Sequence, residues 1–105
     1  TDGIRINDKL WTTSVGLTPD AVLPDWPDKP LDALLLEDFA GLLKSAPELV
    51  LLGTGASGSL PPRELVFAFA RQGIGFEVMD SAAAARTFNV LVGEGRRVAA
   101  VLYSV

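Results

Sequence analysis

Leu49-Val50-Leu51-Leu52-Gly53-Thr54-Gly55 is the stretch on which the fold turns. Four consecutive apolar residues leave no polar face, so a strand here must be covered on both sides, as strands of parallel sheets are. The glycines then end it in a turn. The same alternation repeats downstream. Pro61 to Gln72 predicts a helix, with prolines in its first turn and Gly73 just past its end. Gly75-Phe76-Glu77-Val78-Met79 reads as the next strand, Ala82 to Val92 as another helix, and Val98 to Tyr103 as the last strand. Strand–helix–strand–helix–strand with short connections requires right-handed crossovers. The fold class is therefore α/β, a single three-layer domain whose central sheet is mixed but largely parallel.

Upstream, Leu36, Phe39 and Leu43 follow helical spacing, which predicts a helix over Leu35 to Ser45 closed by Pro47. Pro24-Asp25-Trp26-Pro27-Asp28-Lys29-Pro30 holds three prolines in seven residues and must be a loop. Ile4 to Thr12 alternates as two short strands around an Asn7-Asp8 turn, and Ala21-Val22-Leu23 adds a third. One domain spanning 1–105 follows, with an N-terminal hairpin region at 4–23, a loop at 24–30 and an α/β core at 31–105. Leu51, Leu65, Phe69, Phe76, Val78, Leu91 and Val101 are the residues expected inside it.

Composition narrows the chemistry. Hydrophobic residues make up 49% of the 105 and charged residues 21%, enough for one core and no more. Net charge is −4 and the nine Lys and Arg residues are scattered, so no cationic surface tracks phosphates and no nucleic-acid partner is expected. No apolar run approaches the ~20 residues of a membrane helix, so no membrane insertion is expected. Cysteine is absent, which removes disulfides and thiol chemistry and suits a reducing, cytoplasmic setting. Histidine is absent too, and with it the commonest general base and transition-metal ligand. No catalytic residue, cofactor or metal is expected. The chain opens on Thr1, so a native start upstream of it is expected.

Three constellations remain. Gly53, Thr54, Gly55 and Gly58 form a G-x-G-x-x-G loop after a strand, and Asp80 follows 22 residues beyond Gly58, about where a ribose-binding carboxylate would sit. This makes the loop a candidate small-molecule or nucleotide site. Pro61 and Pro62 weigh against it, since a phosphate sits over free N–H groups of the first helical turn and proline has none. The competing reading is a glycine turn whose backbone passes close to another segment. The second constellation is Leu65 to Ala70, apolar almost all round the helix. Such a helix is buried on every side, either by a second chain in a homo-oligomer or by the N-terminal hairpin or the long loop. The third is the polar set on the last helix: Asp80, Ser81, Arg86, Thr87 and Asn89, followed by Glu94. Asp80 or Ser81 suits the N-cap, and Arg86 and Asn89 share a face beside a run of alanines. That set is either an ordinary capped, solvated helix or a surface that meets a partner.

Met79-Asp80-Ser81-Ala82-Ala83-Ala84-Ala85-Arg86-Thr87-Phe88-Asn89-Val90-Leu91, with Gly93 to Ala100, Leu52-Gly53-Thr54-Gly55 and Gly73-Ile74-Gly75, resembles a widespread family of small proteins of unknown function. Mitochondrial respiratory complex I assembly factor 3 is among its eukaryotic relatives. The resemblance covers roughly Leu49 to Leu102. It implies a three-layer α/β domain, an assembly role by protein contact, and a mitochondrial matrix location in a eukaryote. It implies no reaction. The chain departs from the family at Ala85, where many relatives carry cysteine, and at Phe88, where tyrosine is common. Residues and resemblance together predict a non-enzymatic, assembly-factor-like interaction module with a protein partner.

Overall fold

The last predicted strand lies in the middle of the molecule. The computed structural model describes residues 4–6, 9–11, 14–23, 26, 29–55 and 60–103. Its strands are β1 (Ile4–Ile6), β2 (Lys9–Trp11), β3 (Val15–Thr18), β4 (Ala21–Leu23), β5 (Leu49–Gly53), β6 (Gly75–Met79) and β7 (Val98–Leu102). Its α-helices are α1 (Ala40–Leu43), α2 (Arg63–Arg71) and α3 (Ser81–Gly93). Five strands form one open sheet in the order β4-β3-β7-β5-β6. β5 runs parallel to both β6 and β7, while β3 pairs antiparallel with β7 and with β4. The parallel half is the strand–helix–strand unit, and the antiparallel half is a hairpin added at one edge. Among the described residues β1 and β2 pair with each other alone, Ile4 opposite Trp11 and Ile6 opposite Lys9. The predicted turn residues Asn7 and Asp8 lie outside the described residues.

Side-chain alternation along β5 and β7 builds two cores. Leu49, Leu51, Val98, Ala100 and Leu102 face α3, where Ala84 and Phe88 complete one cluster with Val15 and Leu17. Val50, Leu52, Ala99 and Val101 face the other way, toward Leu65 and Phe69 of α2 and toward Leu34, Phe39 and Leu42. Phe39 is fully buried and meets Phe69 edge-on at 5.0 Å, while Phe69 stacks on Phe76 at 4.4 Å. Helices on both faces of one sheet make the three layers.

Four details differ from the sequence reading. β3 was not predicted. Gly16 sits in its middle because a Cβ there would come within 3.2 Å of the Leu42 side chain, and a mid-strand glycine weakens the strand pattern. The predicted helix over Leu35 to Ser45 is a 3₁₀ turn (Leu36–Phe39) running into the single α-turn of α1. Leu42, rather than Leu43, is its buried residue, and Ala46 turns to φ 52° ahead of Pro47. The helix predicted from Pro61 begins at Arg63, with Pro62 as its N-cap. Gly73 at φ 70° ends it as predicted. Leu51, Leu65, Phe69 and Val101 are buried, but Phe76, Val78 and Leu91 are only half-buried. Phe76 and Val78 belong to β6, which among the described residues is an edge strand paired with β5 alone.

Candidate functional site

The glycine turn after β5 is stitched to the start of α3. The Thr54 N–H donates to the Met79 carbonyl at 2.9 Å, and the Gly55 N–H donates to Ser81 Oγ at 2.8 Å. Ser81 returns two bonds, from its N–H to the Gly55 carbonyl (3.0 Å) and from its hydroxyl to the Tyr103 carbonyl (2.6 Å). Tyr103 closes the circuit, its N–H donating to the Gly53 carbonyl at 2.9 Å and its hydroxyl to the Lys29 carbonyl at 2.7 Å. Gly55 takes φ 81°, which an L side chain rarely adopts. The amides of Thr54 and Gly55 are therefore engaged by protein atoms, and no free anion-binding N–H is left at these two positions. Gly58 lies outside the described residues. Among described residues the loop is a close backbone crossing, with Gly53 packed against Ser81. Pro62 is the N-cap of α2 and Pro61 precedes it, so only one N–H is missing at this helix end rather than two.

The polar set on the last helix divides. Asp80 is the exposed N-cap, its Oδ1 accepting from the Ala83 N–H at 2.7 Å. Ser81 is 1% exposed and belongs to the inner stitch, not to a surface. Thr87 turns to the β6 flank, where its hydroxyl lies 3.6 Å from the Met79 sulfur. Glu94 is exposed at the C-cap, the far end of a 13-residue helix from Asp80. Arg86 and Asn89 remain together on the outward side, with Val90, 59% exposed, beside them. Arg86 makes no hydrogen bond or ion pair with another described residue. The tether to Asp80 or Glu94 that would have made it structural is absent among those residues. α3 packs over β7 and β5 and shares a core cluster with Val15 and Leu17 of β3, and a groove opens between it and the β3–β4 hairpin. This groove, of about 410 Å³, is lined by residues 17–22 of the hairpin, Thr18 and Asp20 among them, and by Ala85, Phe88, Asn89 and Val92 of α3. Sequence reasoning missed this groove because it depends on β3.

Among the described residues, titration is perturbed at two carboxylates, Asp38 and Glu48, both away from α3. Burial pushes the Asp38 carboxyl up, but hydrogen bonds from Lys29 (2.8 Å) and the Leu35 N–H (2.9 Å), with the Lys29 charge, hold it below its ordinary value. At Glu48 a hydrogen bond from Arg96 and another from the Arg97 N–H, with the charges of both arginines, lower the carboxyl against the opposing effect of desolvation. Both belong to ion pairs that tie loops down. No group of His, Cys, Asp and Glu among the described residues gathers in a way that would hold a metal, and no described helix is long and apolar enough to cross a membrane.

Comparison with known proteins places the fold among solved structures. Over 61 residues the chain is 38% identical to the "13 kDa major membrane protein" of Francisella tularensis, covering 58% of this chain and 50% of that protein. The chain spans about half the length of the curated relatives it matches. The crystal structure of a Bordetella parapertussis protein superposes with a TM-score of 0.88 at 33% identity, covering all of this chain and 91% of that one. The solution structure of a Bordetella pertussis protein described as a Mth938-like domain gives a TM-score of 0.78 at 30% identity, over 97% of this chain and 80% of that one. A family model described as "protein of unknown function (DUF498/DUF598)" matches residues 1–103, and the chain belongs to that family.

Proposed function

We propose that this domain is a non-enzymatic interaction module, assembly-factor-like, which offers the outward side of α3 and the groove beside it to a protein partner. One observation carries the reading. Arg86 stands exposed on a helix whose cap and apolar face other residues already supply, without a described internal partner, beside a groove whose lining mixes polar groups (Thr18, Asp20, Asn89) with apolar ones (Val22, Ala85, Val92). Its guanidinium suits a carboxylate or a pair of backbone carbonyls. The partly exposed Val22, Ala85 and Val92 would meet an apolar side chain of the same partner segment, and Asn89 would fix its backbone. The resemblance to a family whose eukaryotic relatives include complex I assembly factor 3 supports an assembly role by contact, and the cysteine-free composition supports a cytoplasmic or matrix setting.

The test is a photo-crosslinking amino acid placed at Asn89 in the full chain within its own cells, with Lys44 as the control position. One defined protein adduct from Asn89 and none from Lys44 is the expected result. Equal adduct patterns from both positions would overturn the reading.

A further inference from the structure

The second helix of the core answers a different question. Leu65 and Phe69 of α2 are buried against the sheet, yet the opposite side is also apolar: Phe67 is 52% exposed, with Val66 and Ala70 exposed beside it. Leu60, 72% exposed, continues the patch just before the helix, and Leu35, 50% exposed, extends it across the shallow groove that Glu64 and Arg71 also line. A short helix needs only one apolar side to pack, and clustered exposed apolar residues mark contact surfaces.

The charges around this patch say what covers it. Helical geometry puts Phe67 at the centre of the outward side, Glu64 and Arg71 along one flank, and Arg63, Val66 and Ala70 along the other. Among the described residues, neither Glu64 nor Arg71 has an ion-pair partner. When two copies of α2 are laid antiparallel about a twofold axis at Phe67, each Glu64 comes opposite the other copy's Arg71. Each Arg63 comes opposite the other copy's Ala70. Both oppositely charged contacts form and no like charges meet, as an isologous interface requires.

We infer that the exposed side of α2 is a homodimer interface, a second copy of this chain packing antiparallel on it with Phe67 at the twofold axis. α3 lies on the other face of the sheet, so the dimer leaves the Arg86 surface free on both copies. One nine-residue helix with two flanking leucines is short of the ~800 Å² per partner of a typical stable interface, so the dimer is a weak one.

Sedimentation of the full chain from about 10 μM to 1 mM tests this, because a weak dimer assembles across that range. Wild type is expected to pass from monomer to dimer. Glu64→Arg and Arg71→Glu, each of which sets like charges face to face twice, are expected to weaken association about tenfold or more. The double variant is expected to recover to within a few-fold of wild type. Both positions are exposed, so folding survives, and a far-UV spectrum checks it. Phe67→Glu is expected to stay monomeric throughout. A chain that is monomeric at 1 mM overturns the inference. So does a dimer indifferent to Phe67→Glu, or one that the single exchanges weaken and the double exchange fails to restore.

Discussion

A Cβ on Gly53 would lie 2.8 Å from both the Cα and the Oγ of Ser81. The end of β5 and the start of α3 therefore touch where no other side chain fits, and the Leu102 side chain, 3.1 Å away, closes the third direction. Ser81 cannot retreat, because it bonds Gly55 and Tyr103 at once. Gly53→Ala is expected to lose about 2–3 kcal/mol by overpacking, read as a lower midpoint in urea with an unchanged slope. Ser81→Ala should lose a similar amount, since the Gly55 N–H and the Tyr103 carbonyl would each be left without this partner.

The same crossing predicts how the glycine loop treats nucleotides. The amides of Thr54 and Gly55 already donate within the protein, so a pyrophosphate arriving there would have to break those bonds. NAD, NADP and ATP at about 1 mM, a concentration that detects dissociation constants in the millimolar range, are expected to leave the amide shifts of Gly53 to Gly55 unmoved. Saturable shifts at micromolar ligand would return the loop to the list of binding sites.

Phe69 joins three elements, stacked on Phe76 of β6 and edge-on to Phe39 at the end of the 3₁₀ turn. Truncation to alanine opens a cavity between α2 and the sheet that none of these rings can refill without leaving its partners. A loss of about 3–5 kcal/mol is expected for Phe69→Ala. Phe67→Ala, one helical position pair away but outward-facing, should change monomer stability by less than about 0.5 kcal/mol. Denaturation of the two variants at low concentration separates them.

What could be read from sequence follows from where single-residue signals are strong. The apolar run at Leu49 to Leu52 and the Gly73 stop gave β5 and the end of α2 correctly, because each has one cheap conformational solution. β3 hid behind Gly16, whose role is to let Leu42 pass, a contact between residues far apart in the chain. Leu36 to Leu43 carries helical spacing over too few residues to propagate, so its first turn winds as 3₁₀. On α3 the sequence grouped six polar residues by proximity. Folding then buried Ser81, sent Thr87 to the other flank and parted Asp80 from Glu94 by the length of the helix. The outward helical spacing of Arg86 and Asn89 was legible, whereas the groove beside them needs both β3 and β4 in place.

Acid should weaken the fold through Asp38. Its carboxyl sits below the ordinary range in the native state, so its contribution is complete above the unfolded value of about 4 and is lost as pH falls through the lowered native value. Glu48 acts in the same direction from an exposed position. Asp38→Asn removes the ion pair with Lys29, which is partly exposed, and is expected to cost about 1 kcal/mol at neutral pH. Its stability should also fall less than wild type's below about pH 4. Thermal melts of both proteins across pH 2.5–7, bracketing that value, measure the difference. A variant that loses stability in acid as steeply as wild type would show that Asp38 is not a source of the acid limb.

Replacing Arg86 decides whether the α3 surface is functional or merely solvated. Helix formation does not need this side chain: Asp80 caps the first turn, while Ala84 and Phe88 hold the helix to the sheet. No described carboxylate pairs with the guanidinium, so its loss leaves no buried charge behind. Arg86→Ala is therefore expected to cost no more than about 1 kcal/mol, a shift of a few degrees in melting temperature. The protein adduct formed from Asn89 should nonetheless disappear, since the partner loses its charged anchor while the groove stays intact. Arg86→Lys keeps the charge but not the planar fork, and should restore the adduct only in part. A melt lowered by the roughly 3–5 kcal/mol that follows loss of one member of a buried pair would make Arg86 a structural tether. An adduct that survives Arg86→Ala unchanged would place the partner's anchor elsewhere on the domain.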